Sequence, residues 1–83
     1  MKDDTYEGWK NRATWNIALW INNDEYLYRA AVDYIKEYPK SRHPYTNFIR
    51  SMSMENDKTP DGFKYLSTRL SFYELNEMMR ELV

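Results

Sequence analysis

The sequence contains no cysteine, so neither disulfide bonds nor thiolate metal ligands stabilise the chain. It has one histidine, His43, in a polar stretch before a proline, where nothing in the sequence organises a nucleophile beside it. The carboxylates of Glu74, Glu77 and Glu81 recur along a helix face that is typical of a solvated surface. We therefore expect no enzyme activity, no catalytic residues, no metal site and no cofactor.

Two further absences concern location and partners. No run of 18 apolar residues is present, and the acidic, polar N-terminus lacks the apolar core of a signal peptide, so a cytoplasmic protein without a membrane contact is expected. Twelve Lys and Arg nearly balance thirteen Asp and Glu. Dedicated nucleic-acid binders usually carry a basic excess, so nucleic acid ranks below protein as the expected partner.

Aromatic residues are abundant, with eight Tyr, three Trp and three Phe among 83 residues. A chain of this length forms one domain, here residues 1–83, and we expect a flexible tail over residues 1–7. The buried aromatic rings supply much of the area of a small core. Apolar residues recur at helical spacing in four segments, which predicts an all-α fold, a small bundle of about four helices.

The first helix is predicted over about residues 12–22, with Asn11 as its N-cap. Its apolar residues fall on two arcs when they are placed at 100° intervals. One arc carries Ala13, Ile17, Trp20 and Ile21, and the other carries Trp15, Ala18 and Leu19. A helix that is apolar nearly all round is normally buried. This Trp-rich helix is therefore predicted to be largely buried between other elements.

Three more helices are predicted, over about residues 24–38, from Pro44 onward, and over about residues 71–82. Asn23 or Asp24 suits the N-cap of the second helix, because short polar side chains accept bonds from free backbone amides. A proline directly after residue 38 ends that helix. The expected connections between these segments are short and polar.

Two local motifs mark the second half of the chain. Residues 59–62 read Thr-Pro-Asp-Gly, which predicts a type I turn with proline at its second position. Ser71 and Glu74 have the spacing of a capping box, in which each side chain bonds the other residue's backbone amide. Between these motifs, the pattern of residues 63–70 leaves a short strand and a helical turn open.

Polar residues interrupt the first helix in a narrow stripe formed by Arg12, Asn16 and Asn23. Asparagine is mildly unfavourable inside a helix because it competes for backbone hydrogen bonds, so Asn16 requires a reason. Two interpretations are open. The amide either holds a neighbouring loop, such as residues 59–62, or belongs to a partner-binding groove with a tryptophan base and an Arg and Asn rim.

The segment of residues 8–25, GWKNRATWNIALWINNDE, resembles the opening block of a family of short uncharacterised proteins from phage, prophage and bacterial genomes. TPDG at residues 59–62 and ELNEM at residues 74–78 resemble the closing block of that family. The family has no assigned activity, so the resemblance implies no role for individual residues. Its association with phages implies a host-directed function, and this implication rests on association alone.

The favoured hypothesis is a small protein-binding modulator, such as a phage or prophage inhibitor of a host enzyme or defence system, that acts by steric occlusion. Exposed tyrosines beside the first helix, a residue type common at interfaces, support this hypothesis. The predicted partner-binding residues are Trp9, Arg12, Asn16, Trp20, Asn23, Tyr26 and Tyr28. The first alternative is a nucleic-acid-binding protein using Trp9, Lys10, Arg12 and a basic rim at residues 40–50. The second is a homo-oligomeric structural protein, and the chain itself is expected to be a monomer or a small homo-oligomer.

Overall fold

The computed structural model describes residues 5–83 and contains four α-helices. They are α1 (Arg12–Asn23), α2 (Glu25–Glu37), α3 (Pro44–Ser51) and α4 (Phe72–Arg80). Within residues 5–83 there is no strand, and β pairing is limited to two isolated bridges, Tyr6 with Trp9 and Lys58 with Lys64. The predicted all-α bundle of about four helices is confirmed, and the helix bounds agree with prediction to within one or two residues.

The N-terminal tail predicted over residues 1–7 falls partly outside the described residues, which begin at Thr5. From there the chain turns back on itself, because Tyr6 and Trp9 exchange two backbone hydrogen bonds of 2.7 and 2.8 Å.

Residues 63–70 form neither a strand nor a helical turn, the two structures that the sequence left open, since they contain no helix and only one isolated bridge residue. None of the helices described here is long and apolar enough to cross a membrane.

All four helices begin where the sequence predicted, three of them at side chains that accept a backbone amide hydrogen. The N-caps of α1, α2 and α4 are Asn11, Asp24 and Ser71, respectively. Each of these side chains bonds the amide three residues later, which satisfies one of the free donors at a helix start. The helix α3 begins instead with Pro44 in its first turn, where a missing amide hydrogen costs nothing.

The predicted capping box at the start of α4 forms only in half. The Oγ of Ser71 accepts the amide hydrogen of Glu74 at 3.3 Å, as predicted. The predicted bond from the Ser71 amide to the Glu74 side chain does not form, because the Glu74 carboxylate accepts the backbone N–H of Lys10 at 2.8 Å. The amide of Ser71 donates instead to Oγ1 of Thr14 at 2.9 Å. These two bonds tie the start of α4 to the start of α1.

The core lies where the inner sides of the helices meet. The helix α1 contacts both α2 and α4, and α3 packs against α4 and α2. The largest side chains that are fully buried include Ile17, Ile21, Ile35, Tyr45, Phe48, Ile49, Leu75 and Met79. Each helix contributes at least one of these residues, at the helical spacing that its apolar residues have in the sequence. Tyr38 has the same apolar spacing along the second helix, but it is 52% exposed and does not belong to the core.

The helix α1 is buried on one side rather than all round. Its buried apolar residues, Ile17, Ala18 and Ile21, fall within about 100° of the helix surface, so α2 and α4 both lie on that half. On the other half, Trp15 and Leu19 are only partly buried and do not pack against the buried core of residues 5–83. Trp15 and Leu19 of the predicted second arc, and Trp20 of the first, are therefore partly rather than fully buried, while Ala18 is buried as expected.

Candidate partner-binding surface

A hydrogen-bond network joins the 59–62 turn to the outer side of α1. Oδ1 of Asn16 accepts a hydrogen bond from Oγ1 of Thr59 at 2.7 Å, and Nδ2 of Asn16 donates to Oδ2 of Asp61 at 2.7 Å. Nε1 of Trp20 donates to the same Asp61 oxygen at 2.9 Å. Asn16 and Thr59 are 1% and 3% exposed. The bond between them is therefore shielded from water, where it is electrostatically stronger.

The turn itself is held by its own backbone, as predicted. The amide of Gly62 donates to the carbonyl oxygen of Thr59 at 2.8 Å, and the amide of Thr59 donates to the carbonyl oxygen of Phe63 at 2.8 Å. Gly62 has a φ of 93°, a conformation that is strained for any residue with a Cβ. The glycine is therefore required by the backbone here, and the turn presents Asp61 to α1 in a fixed position.

This geometry favours the structural interpretation of Asn16. Both ends of its amide are bonded within the chain and its side chain is almost completely buried, so it does not reach a partner directly. Asn16 and Trp20 belong to the opening block of the resemblance, and the 59–62 turn belongs to its closing block. The two blocks therefore meet in space, and they build one contact between a helix and a loop.

The Asp61 carboxyl has a perturbed titration. The hydrogen bond from Asn16, and then that from Trp20, lower its pKa below the ordinary value. Desolvation opposes them, and the nearby positive charge of Arg12 adds the smallest lowering effect. The carboxylate remains exposed to solvent. It acts as the shared acceptor that fixes both a buried amide and a half-exposed indole.

We expect protonation of Asp61 to weaken the fold at low pH. Its pKa is lower in the folded state than in the unfolded state, so the stabilisation is complete above the unfolded value of about 3.9 and is lost as the pH falls through the folded value. Chemical denaturation between about pH 5 and about pH 2 should show a smaller loss of stability in Asp61→Asn than in the wild type. An equal loss in both proteins would contradict this assignment.

Two matched variants test the cause of the shift. Trp20→Phe removes one of the two donors, so NMR should show the pKa of Asp61 moving upward toward its ordinary value. Trp15→Phe makes the same replacement on the same helix without touching the carboxylate, so the pKa of Asp61 should stay where it is in the wild type.

The outer side of α1 carries a stripe that we call the aromatic face. It consists of Arg12, Trp15, Leu19, Trp20 and Asn23. These residues follow the spacing i, i+3, i+7, i+8 and i+11, which places them on one side of a helix. Asn16 lies in the same stripe but is covered by the 59–62 turn. The face is bounded on one side by that turn.

The large side chains of the aromatic face have fixed orientations. The Trp20 indole is bonded to Asp61, as described above. The Trp15 ring meets the Tyr6 ring edge to face, with centroids 4.9 Å apart and planes at 63°. The guanidinium carbon of Arg12 lies 5.7 Å from the centroid of the Phe63 ring, within the range of a cation–π contact.

The structure brings together some of the predicted partner-binding residues and separates others. Arg12, Trp20 and Asn23 share the aromatic face. Tyr26 and Tyr28 are 72% and 39% exposed on α2, but residues two positions apart on a helix point to nearly opposite sides. They therefore do not form one surface with each other. Trp15 and Leu19 were assigned to the core, although their spacing from Arg12 and Asn23 was a signal for the outer stripe.

Trp9 lies apart from the aromatic face. It lines a groove against α4, beside three glutamates, which is an unfavourable setting for contact with phosphates. The basic rim at residues 40–50 lies on the link before α3 and on α3 itself, and α1 makes no contact with α3. The residues of the nucleic-acid alternative are therefore distributed over separate parts of the molecule.

Comparison with known proteins identifies a family for this chain but no activity. The model of a family of unknown function (DUF7249) matches residues 2–83. No curated protein and no solved structure matches the chain. The family match spans both sequence blocks and all four helices, so it concerns the whole fold described above and brings neither a substrate nor a partner.

Proposed function

Because this chain belongs to the DUF7249 family of unknown function, we propose its function from its surface. It is a small protein-binding modulator that covers part of a partner protein with the aromatic face of α1. One observation carries the proposal: Trp15, Leu19 and Trp20 are partly exposed on the outer side of α1 and, within residues 5–83, do not pack against the buried core. Contiguous apolar side chains left at a surface are typical of interaction sites.

The composition and rigidity of the face support a protein partner. Tryptophan and arginine are the residue types most enriched among those that dominate protein–protein binding energy. Contacts with Asp61 and Tyr6 hold the indoles of Trp20 and Trp15 before any partner arrives. Less side-chain entropy is then lost on binding, which favours affinity.

The proposed mechanism is steric occlusion by a rigid helix. Arg12 and Asn23 stand at the two ends of the stripe, about 16 Å apart along the axis, and fix the orientation of the helix through hydrogen bonds. The apolar side chains between them exclude water from the contact. The resemblance to phage and prophage proteins favours a bacterial host protein as the partner, an enzyme or a defence component, encountered in the cytoplasm.

The test of this proposal is a double replacement, Trp15→Ser with Leu19→Ser, in affinity capture from a bacterial lysate. We expect the wild type to capture a protein and the double variant to lose it, because the replacement removes the centre of the aromatic face. Neither side chain packs on the core, so the double variant should remain folded, and its thermal unfolding curve checks this. Tyr38→Ser is the control, because Tyr38 is an exposed aromatic residue, 52% exposed, elsewhere on the molecule.

Three outcomes would overturn the proposal. Equal capture by the wild type and the double variant would remove the aromatic face from the interaction. Capture that disappears after nuclease treatment would establish nucleic acid as the partner. A melting temperature that rises with protein concentration, together with an empty capture lane, would show that the face meets copies of the same chain.

Nucleic acid remains a second candidate because of one observation that the sequence pattern did not reveal. Arg12, Lys64 and Arg69 border two adjoining small cavities around the Phe63 ring. None of these three cations takes part in an ion pair among residues 5–83. A base stacked on the ring with its phosphates near these cations is the arrangement that this candidate requires.

A further inference from the structure

A groove separate from the aromatic face opens between the turn at residues 6–9, the end of α1 and the helix α4. We call it the α1–α4 groove. Its volume is about 450 Å³, within the range of ligand-binding cavities, and it is open to solvent along one side. Trp9, Met78 and Leu82 give it an apolar lining. Tyr73, which is 75% exposed, stands at its edge.

All the charged residues that line the groove are acidic. Glu74, Glu77 and Glu81 line it from successive turns of α4 and its C-terminal end, and no lysine or arginine is among its lining residues. Glu74 accepts a backbone amide, and Glu77 pairs with Arg80 at 3.0 Å on the exposed surface. The Glu81 carboxylate makes no ion pair within residues 5–83. The groove is thus acidic in a chain whose net charge is only −1.

The walls of the groove are held in place without an occupant. The turn at residues 6–9 is closed by two backbone hydrogen bonds, and the amide of Lys10 is bonded to Glu74 on α4. On the opposite wall, Nδ2 of Asn22 donates to the carbonyl of Ala18 and contacts the sulfur of Met78 at 3.5 Å. A cavity formed in advance loses little free energy in reorganisation when it binds.

We propose that the α1–α4 groove binds a Lys- or Arg-bearing segment of a protein. The ammonium or guanidinium group meets the carboxylates of Glu77 and Glu81 and the face of an aromatic ring. Its aliphatic stem and a neighbouring apolar side chain lie against Trp9 and Leu82. Because the groove is open to solvent, a protein segment extends beyond it and makes more contacts than a small free cation does.

This inference does not depend on the aromatic face, and the test keeps the two apart. The probe is a short peptide of alternating leucine and lysine with blocked ends, compared with the same peptide carrying glutamate for lysine. NMR follows the three tryptophan indole signals and the amides of α4. The basic peptide should shift the Trp9 indole and the α4 amides, leave the Trp15 indole in place, and bind more weakly as salt rises.

The charge contribution is tested by Glu77→Gln with Glu81→Gln, which should weaken binding of the basic peptide about five- to tenfold. Glu37→Gln with Glu55→Gln removes the same net charge outside the groove and should leave binding nearly unchanged. The pair Trp15→Ser with Leu19→Ser should also bind the peptide normally, so failure of the aromatic-face proposal would be seen separately.

Four results would overturn the inference. The first is a Trp9 indole signal that the basic peptide leaves unmoved at low salt, and the second is an equal shift of that signal by the acidic peptide. Equal affinity in the wild type and the Glu77→Gln, Glu81→Gln variant would exclude charge recognition. Binding of arginine amide alone as tightly as the peptide would show that the occupant is a small cation rather than a protein segment.

Discussion

Asn16→Ala is expected to lower the free energy of unfolding by about 2–4 kcal/mol. A domain of this size has a total stability of about 4–12 kcal/mol, so the loss is large. The reason is that the amide is almost completely buried and bonds Thr59 at one end and Asp61 at the other. Removing it leaves the buried hydroxyl of Thr59 without its acceptor and frees the 59–62 turn from α1.

Asn23→Ala is the matched control for this experiment. Asn23 is the same residue type on the same helix, but it is exposed, so its replacement should change stability by no more than about 0.5 kcal/mol. Urea denaturation measures both variants. A double-mutant cycle with Thr59→Ala should give a coupling energy, because the two side chains are in direct contact. Similar stabilities for Asn16→Ala and Asn23→Ala would show that the network contributes nothing.

Tyr45→Ala is expected to cost about 3–5 kcal/mol, which lowers the melting temperature by roughly 12–40 °C in a domain of this size. The side chain of Tyr45 is fully buried, and its ring packs beside that of Phe72, with centroids 6.2 Å apart. Its hydroxyl donates to the backbone carbonyl of Tyr65. The replacement therefore opens a cavity where α3, α4 and the irregular segment of residues 63–70 meet.

Tyr45→Phe separates packing from hydrogen bonding. It keeps the ring and removes only the hydroxyl, so thermal denaturation should show a loss of about 1–2 kcal/mol. Burial raises the pKa of the Tyr45 phenol far above its usual range, so the group remains a neutral donor at ordinary pH. Tyr26→Ala removes an exposed ring and should have little effect. If Tyr45→Phe proved as damaging as Tyr45→Ala, packing would not be the dominant contribution.

Local signals in the sequence were sufficient to predict the helices. Asn11, Asp24 and Ser71 start helices because the caps act over three residues, a range visible in the sequence. The sides of α2, α3 and α4 that face the core follow from periodicity alone. The reciprocal half of the capping box was mispredicted because Lys10, distant in sequence, competes for the Glu74 carboxylate. Such competition has no local signature.

The outer side of α1 shows why apolar character alone does not establish burial. Trp15 and Leu19 are as apolar as the core residues, so a count of apolar positions places them inside. What decides their exposure is that α2 and α4 pack on the same half of α1, a fact of tertiary arrangement. The contact of Asn16 with the 59–62 turn was one of two predicted alternatives, because a mid-helix asparagine requires a bonding partner.

The irregular segment and the groove could not be predicted from the sequence. The conformation of residues 63–70 is determined by long-range hydrogen bonds, such as the one from the Tyr45 hydroxyl to the Tyr65 carbonyl. Such bonds leave no periodic pattern in the sequence. The glutamates of α4 have the spacing of an ordinary solvated face. They become a groove wall only because the turn at residues 6–9 places Trp9 opposite them.

In a chain without cysteine, the hydrogen bonds from Asn16 to the 59–62 turn act as a non-covalent cross-link. They join residues that are 43 and 45 positions apart, and the loop that they close contains both α2 and α3. Closing such a loop costs chain entropy that only native contacts recover, and contacts of long sequence separation slow folding. The rate-limiting event in folding should then be the arrival of the 59–62 turn at α1, after the helices have formed.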